Sequence, residues 1–152
     1  MIEDKIKELG LQLPEASKPL AAYVPAVKID NLVFTSGQLP MVNGELKIKG
    51  KVGAQVSEEN GIKAAEICAL NCLAAVKSVS GSLDKIEQIV KLTAFVNGAD
   101  FFIAQPKIAN GASELLVKIF GDKGKHARSA VGVSELPLDA PVEIEMIVKL
   151  KD

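Results

Sequence analysis

The chain has 152 residues, a net charge of -1 and 48% apolar residues, with no tryptophan. This is the length of one domain with enough apolar content for a core, and the near-neutral, interspersed charge argues against a nucleic-acid binder, which normally carries a basic stripe. Two cysteines, a charged N-terminus without an apolar h-region and no run of membrane-spanning length predict a cytoplasmic protein without a disulfide framework.

Residues 3–9 predict a short helix closed by Gly10, after which Pro14 and Pro19 interrupt regular structure. Two β-rich runs follow, Val24 to Ile29 and Leu32 to Thr35, joined by Asp30-Asn31, which tolerate the positive φ of a tight hairpin. Ser36-Gly37-Gln38-Leu39-Pro40 stops the second run. Asn43-Gly44 marks another turn, and Gly50 and Gly53 keep the next segment loop-like. Ser57 is a suitable N-cap, with Glu58 and Glu59 favouring the helix dipole, for a helix running to about Val79 and capped by Gly81. Its expected buried stripe is Ile62, Ala65, Cys68, Ala69, Cys72, Ala75, Val76 and Val79. Small side chains let such a helix lie close on a sheet, and the two cysteines read as core residues.

Ile89 to Asn97 predicts a strand with Val90, Leu92, Ala94 and Val96 on one face. A second helix lies between Asp100 and Phe120, limited at its start by Pro106 and ended by Gly121 and Gly124. Ala127 to Val133 and Val142 to Leu150 predict two strands, with residues 136–141 long enough for an antiparallel return between them. The order ββ, α, β, α, ββ fits a single α+β domain over 1–152, with both helices on one face of the sheet.

Arg128 is the only arginine among 18 basic residues. A planar guanidinium grips a carboxylate with two parallel hydrogen bonds, which lysine cannot do. Strand parity groups Arg128 with Ala130 and Gly132, and the more apolar set Ala127, Ser129, Val131 and Val133 suits the helix-covered core. Arg128 is then expected on the opposite face, with small neighbours that leave room for a ligand. A surface ion pair is the alternative. Glu143 and Glu145 lie on the polar face of the last strand. If that strand pairs with the one carrying Arg128, a glutamate reaches the arginine and can orient it or act as a general base; a solvated strand face is the other reading. Tyr23, the only tyrosine, either caps a pocket or packs half-buried with a wet hydroxyl. His126 shares the Arg128 face but has no evident nucleophilic or acidic partner. The Gly37 N–H can approach a ligand oxygen closely, or the glycine simply ends the strand. No Walker loop, GxGxxG, HExxH or GxSxG motif is present, so no metal or cofactor is predicted.

The stretch HARSAVGVSELPLDAPVEIEMI, with its Arg-Ser pair, Leu-Pro turn and Val-Glu-Ile-Glu strand, resembles the signature of the Rid family of reactive intermediate deaminases, also called the YjgF or L-PSP endoribonuclease family. TSGQLP at 35–40, Tyr23-Val24, the helix carrying Asn71 and KLTAFVNGADF are similar to other parts of its pattern, over residues 18–150. The resemblance implies a chorismate-mutase-like, ferredoxin-related two-layer sandwich with a mixed sheet, assembled as a homotrimer with ligand clefts between subunits. It implies hydrolytic deamination of small 2-imino or 2-enamino acids. Arg128 would hold the substrate carboxylate with help from the Gly37 N–H after Ser36, and Glu143 would activate water. Tyr23 and Asn110 would line the cleft, and the Ala130 backbone would contact the reacting nitrogen or water. The chain departs from the family where Ala130 replaces a common cysteine, where His126 replaces a usual proline or alanine, and in a longer segment before the second helix. A non-catalytic trimer that binds small carboxylates is the alternative. Endoribonuclease activity is disfavoured by the charge and by the lack of a His–His or His–Lys constellation.

Overall fold

The computed structural model describes residues 1–18 and 22–152. The predicted interruption at Pro19 lies outside the described residues. Helix α1 (Ile2–Glu8) is short and buries Ile6. Strands β1 (Ala26–Ile29) and β2 (Leu32–Thr35) form the expected hairpin, with Asp30 at φ 51 in the turn. The first strand starts two residues later than predicted, because Pro25 has no N–H to give a ladder. The turn at Asn43-Gly44 joins two very short strands, β3 (Met41–Val42) and β4 (Glu45–Leu46).

Helix α2 (Glu58–Ser80) begins at Ser57, whose side chain accepts from the Asn60 N–H at 3.1 Å, and ends at left-handed Gly81. Cys68 and Cys72 are fully buried in it, as the spacing predicts. The expected stripe is buried from Ala65 to Val76, while Ile62 at its start is half-buried against the core and Val79 at its end is 37% exposed. Ala64, Leu70, Leu73 and Ala74 are buried in addition, since helix α3 (Gln105–Phe120) and the β3 segment both pack against further flanks of α2. That packing is close. Gly111 of α3 sits so near α2 that a Cβ there would run into the Ile62 carbonyl and lie 3.0 Å from its carbon. Pro106 occupies the first turn of α3, where its missing N–H costs nothing.

Strand β5 (Ile86–Asn97) starts earlier than predicted. A register shift between Ile89 and Lys91 reverses the parity, so Ile89 is buried and Val90 is 37% exposed, while Leu92, Ala94 and Val96 hold the expected core face. Asn97 is fully buried but satisfied: its Oδ1 accepts from Lys51 Nζ at 2.8 Å and its Nδ2 donates to the Ala140 carbonyl at 3.1 Å.

The last two strands correct the expected hairpin around Arg128. Strand β6 (Ala127–Val133) does not pair with β7 (Val142–Leu150). The order is β1-β2-β7-β5-β6, and β6 is an edge strand running parallel to β5. Strand β7, with alternate residues from Val142 to Leu150 buried, lies between β2 and β5 and pairs with both. A central strand needs partners on both sides, and β7 carries the denser apolar face; β6 is mostly half-exposed and suits an edge. The result is a two-layer α+β arrangement, with α2 and α3 over one face of a mixed five-stranded sheet.

Candidate functional site

Strand β6 places Arg128 opposite Leu92 of β5, and Ala130 opposite Ala94. Paired residues in a sheet share a face, so Arg128 points toward the helix layer and not away from it. This overturns the parity expectation. The apolar content of the alternate set was misleading because β6 is an edge strand: Val131 of that set is 45% exposed on the open face. The small neighbours of Arg128 serve packing. Ala130 lies against the core, and a Cβ at Gly132 would come within 2.9 Å of Gln105 Nε2 at the start of α3.

The half-buried guanidinium reaches α3. Its Nη1 donates to Asn110 Oδ1 at 2.8 Å and to Ser113 Oγ at 3.2 Å. Ser113 Oγ is also 2.9 Å from His126 Nε2, and His126 Nδ1 is 2.6 Å from the Gly124 carbonyl. Sequence reading left His126 without a partner; the structure supplies Ser113. The signal was present in two spacings. Asn110 and Ser113 are three apart on one helix and share a face, and His126 lies two residues before Arg128, just ahead of β6. Ser113 opens onto a shallow surface hollow with Glu114, Val117 and Lys118. Among the described residues no carboxylate forms an ion pair with Arg128.

A second cluster forms where the segment after β2 meets the start of the central strand β7. After β2, Gln38 exchanges backbone hydrogen bonds with Ile144 of β7, at 2.8 and 3.0 Å. This brings Gly37 against Glu143, where a Cβ on residue 37 would lie 2.9 Å from the carboxyl carbon Cδ. Burial, and then the charge of Glu145, raises the Glu143 carboxyl above the ordinary glutamate range. The Ser36 hydroxyl donates to the Val24 carbonyl at 2.6 Å and so fixes the segment that carries Tyr23. Tyr23 itself is 61% exposed.

The two clusters do not meet within one chain. Arg128 is on the Leu92 rung and the helix face; Glu143 is on the Phe95 rung and the open face. Three residues of strand span about 10 Å and two strand spacings add about 10 Å across the sheet. Ser36, Gly37 and Glu143 thus form one group, with Tyr23 on the segment that Ser36 ties down, and Asn110, Arg128 and Ala130 form another. Between them runs an uncovered sheet face with Val27, Phe34, Phe95, Val131 and Ile147 on matched rungs. Val27 and Phe34 are 47% and 41% exposed. On it lies a small hollow bordered by Phe34, Lys91, Thr93, Glu145 and Ile147.

Among the described residues no three His, Cys, Asp or Glu side chains gather as a metal ion would need, and no helix is long and apolar enough to cross a membrane.

A family model described as "YjgF/chorismate_mutase-like, putative endoribonuclease" matches residues 3–150. Protein TCP17 of Trypanosoma cruzi is 38% identical over 148 residues, covering 97% of this chain and 92% of that protein. A 2-iminobutanoate/2-iminopropanoate deaminase of Dermatophagoides farinae is 31% identical over 142 residues, covering 93% of this chain and 95% of that protein. The crystal structure of Atu1372 from Agrobacterium tumefaciens, a protein of unknown function, has a TM-score of 0.92 at 44% identity, covering 99% of this chain and 92% of that one.

Proposed function

Because the chain belongs to the YjgF/chorismate-mutase-like family and has its fold, we propose that it hydrolyses small 2-imino or 2-enamino acids to 2-keto acids and ammonia, in clefts between the subunits of a homotrimer. The observation that carries this reading is the state of Arg128. Its guanidinium is held by two neutral side chains, Asn110 and Ser113, with no protein carboxylate paired to it among the described residues. A half-buried cation oriented but not neutralised is prepared for an anionic ligand.

In this reading the substrate carboxylate takes two N–H bonds from the unengaged edge of Arg128. Glu143 of a neighbouring copy, with Gly37 beside it, faces the C=N carbon. Its raised pKa suits a general base at neutral pH. Glu143 takes a proton as water oxygen bonds to the imine carbon and the C=N π pair moves to nitrogen. It returns that proton to nitrogen, then takes the carbinolamine hydroxyl proton and passes it to nitrogen as well; the oxygen lone pair forms the carbonyl as the C–N bond breaks, and ammonia leaves. The Gly37 N–H supports the carboxylate, Tyr23 lines the cleft, and the Ala130 backbone faces the reacting nitrogen or water. The separation of Arg128 from Glu143 within one chain is what calls for a second copy, and the uncovered apolar sheet face is the surface that copy would cover.

The test generates 2-iminopropanoate and follows its loss. Acceleration by the native chain that is absent in Arg128→Ala is expected; equal rates would overturn the reading. The same separation also favours a second reading, carboxylate binding without turnover. Calorimetry with pyruvate beside the imine assay separates the two, because a pure binder shows Arg128-dependent heat and no acceleration.

A further inference from the structure

The hydrogen bonds around His126 have a fixed direction. A backbone carbonyl only accepts, so the Nδ1 facing the Gly124 carbonyl at 2.6 Å carries a proton in both charge states of the ring. In the neutral ring Nε2 is then an acceptor, and the Ser113 hydroxyl 2.9 Å away donates to it. With its proton committed to His126, Ser113 Oγ presents a lone pair to Arg128 Nη1 at 3.2 Å. Asn110 Oδ1 takes the same nitrogen at 2.8 Å. The chain of donors therefore runs Arg128, Ser113, His126, Gly124, and it turns one end of the guanidinium toward α3.

We propose that Ser113 and His126 are positioning residues for Arg128, and that charge on His126 is coupled to the anion that Arg128 holds. The proposal rests on the reading of Arg128 as the carboxylate grip and adds to it how that grip is set and modulated. When His126 takes a second proton, Nε2–H donates to Ser113 Oγ, and the site then holds two cations joined through one oxygen. Without an anion they repel; with a bound carboxylate the second charge is favourable. Binding and protonation of His126 then reinforce each other, and affinity rises as pH falls.

The ionisable groups on the surrounding elements do not share this role. Glu114 and Lys118 lie on α3 at the hollow that Ser113 borders. Lys125 pairs with Asp122 in the 3-10 turn Gly121–Gly124, which also carries the exposed Lys123. Lys91 of β5 donates to Ser129.

Pyruvate, which carries the carboxylate but no imine, is titrated calorimetrically into the native chain and variants at about pH 5.5 and about pH 8. The native chain is expected to bind about tenfold tighter at the lower pH. His126→Gln keeps an acceptor for Ser113 but no titratable charge, so it should retain the higher-pH affinity and lose the pH dependence. Ser113→Ala should weaken binding at both values, and Ser113→Thr should restore it. Glu143→Gln, whose native carboxyl also has a raised pKa, should keep the pH dependence. Equal pH dependence in the native chain and His126→Gln, or unchanged binding in Ser113→Ala, would overturn the proposal. Undiminished binding by Arg128→Ala would instead overturn the reading on which it rests. Thermal melts of each variant identify any that fail to fold; should His126→Gln be one, a native chain whose affinity does not change with pH still overturns the coupling.

Discussion

The carboxyl group of Glu143 occupies the space that any side chain at position 37 would need: a Cβ on Gly37 would fall 2.9 Å from Glu143 Cδ. The glycine is thus required by a neighbour and not by its own backbone angles, since Gly37 is not among the residues with positive φ. Gly37→Ala should push the flexible Glu143 side chain aside at a cost of about 1–2 kcal/mol in stability and more than about tenfold in imine hydrolysis. Denaturant melts and turnover measured on the same preparation check this. A variant with native turnover would separate Gly37 from the site.

Glu143 makes a prediction about pH. Its carboxyl is raised first by burial and then by Glu145, so folding favours the protonated form. That stabilisation is fully present below the unfolded value of about 4.3 and is lost as pH rises through the higher folded value. Glu143→Gln should therefore be more stable than the native chain near neutral pH, with the two converging in acid. Denaturation midpoints across this range test it; parallel curves would show that Glu143 does not carry the penalty.

The open sheet face predicts assembly. Phe34 and Ile147 lie on the same rung, and Phe34 is 41% exposed. Phe34→Asp should leave the fold intact and shift the mass measured by analytical ultracentrifugation from trimer toward monomer, with loss of imine hydrolysis. A native chain that sediments as a monomer would remove the intersubunit cleft.

Much of the fold was legible because its signals are local. The Ser57 cap, the Gly81 stop and the alternation of β7 each lie within a few residues, and all three appear in the structure. Strand pairing was less legible. The loop after β6 is long enough for a hairpin, but whether β7 returns to β6 or inserts between β2 and β5 depends on competition among distant strands. That choice also decided the site. With β6 on the edge and parallel to β5, Arg128 faces α3 and stands apart from Glu143. The partnership of Ser113 with His126 depended on the same packing, since their own spacings gave each a face but not a neighbour.

The contact between α2 and α3 predicts a large local cost. A Cβ at Gly111 would meet the backbone of Ile62, which cannot swing aside as a side chain does. Gly111→Ala should destabilise the chain by about 2–4 kcal/mol despite its better helix propensity. Chemical denaturation measures this directly, and a neutral or stabilising outcome would mean that the helices separate cheaply.

In the proposed reaction Arg128 grips the carboxylate of an imino acid, which the assembly then hydrolyses. Its most direct measurement is the rate of 2-iminopropanoate loss with the native chain, Arg128→Lys and Arg128→Ala. Lysine keeps the charge but not the planar two-point grip. Acceleration by the native chain, a loss of about tenfold or more in Arg128→Lys and no acceleration in Arg128→Ala are expected. Equal acceleration by all three would contradict it.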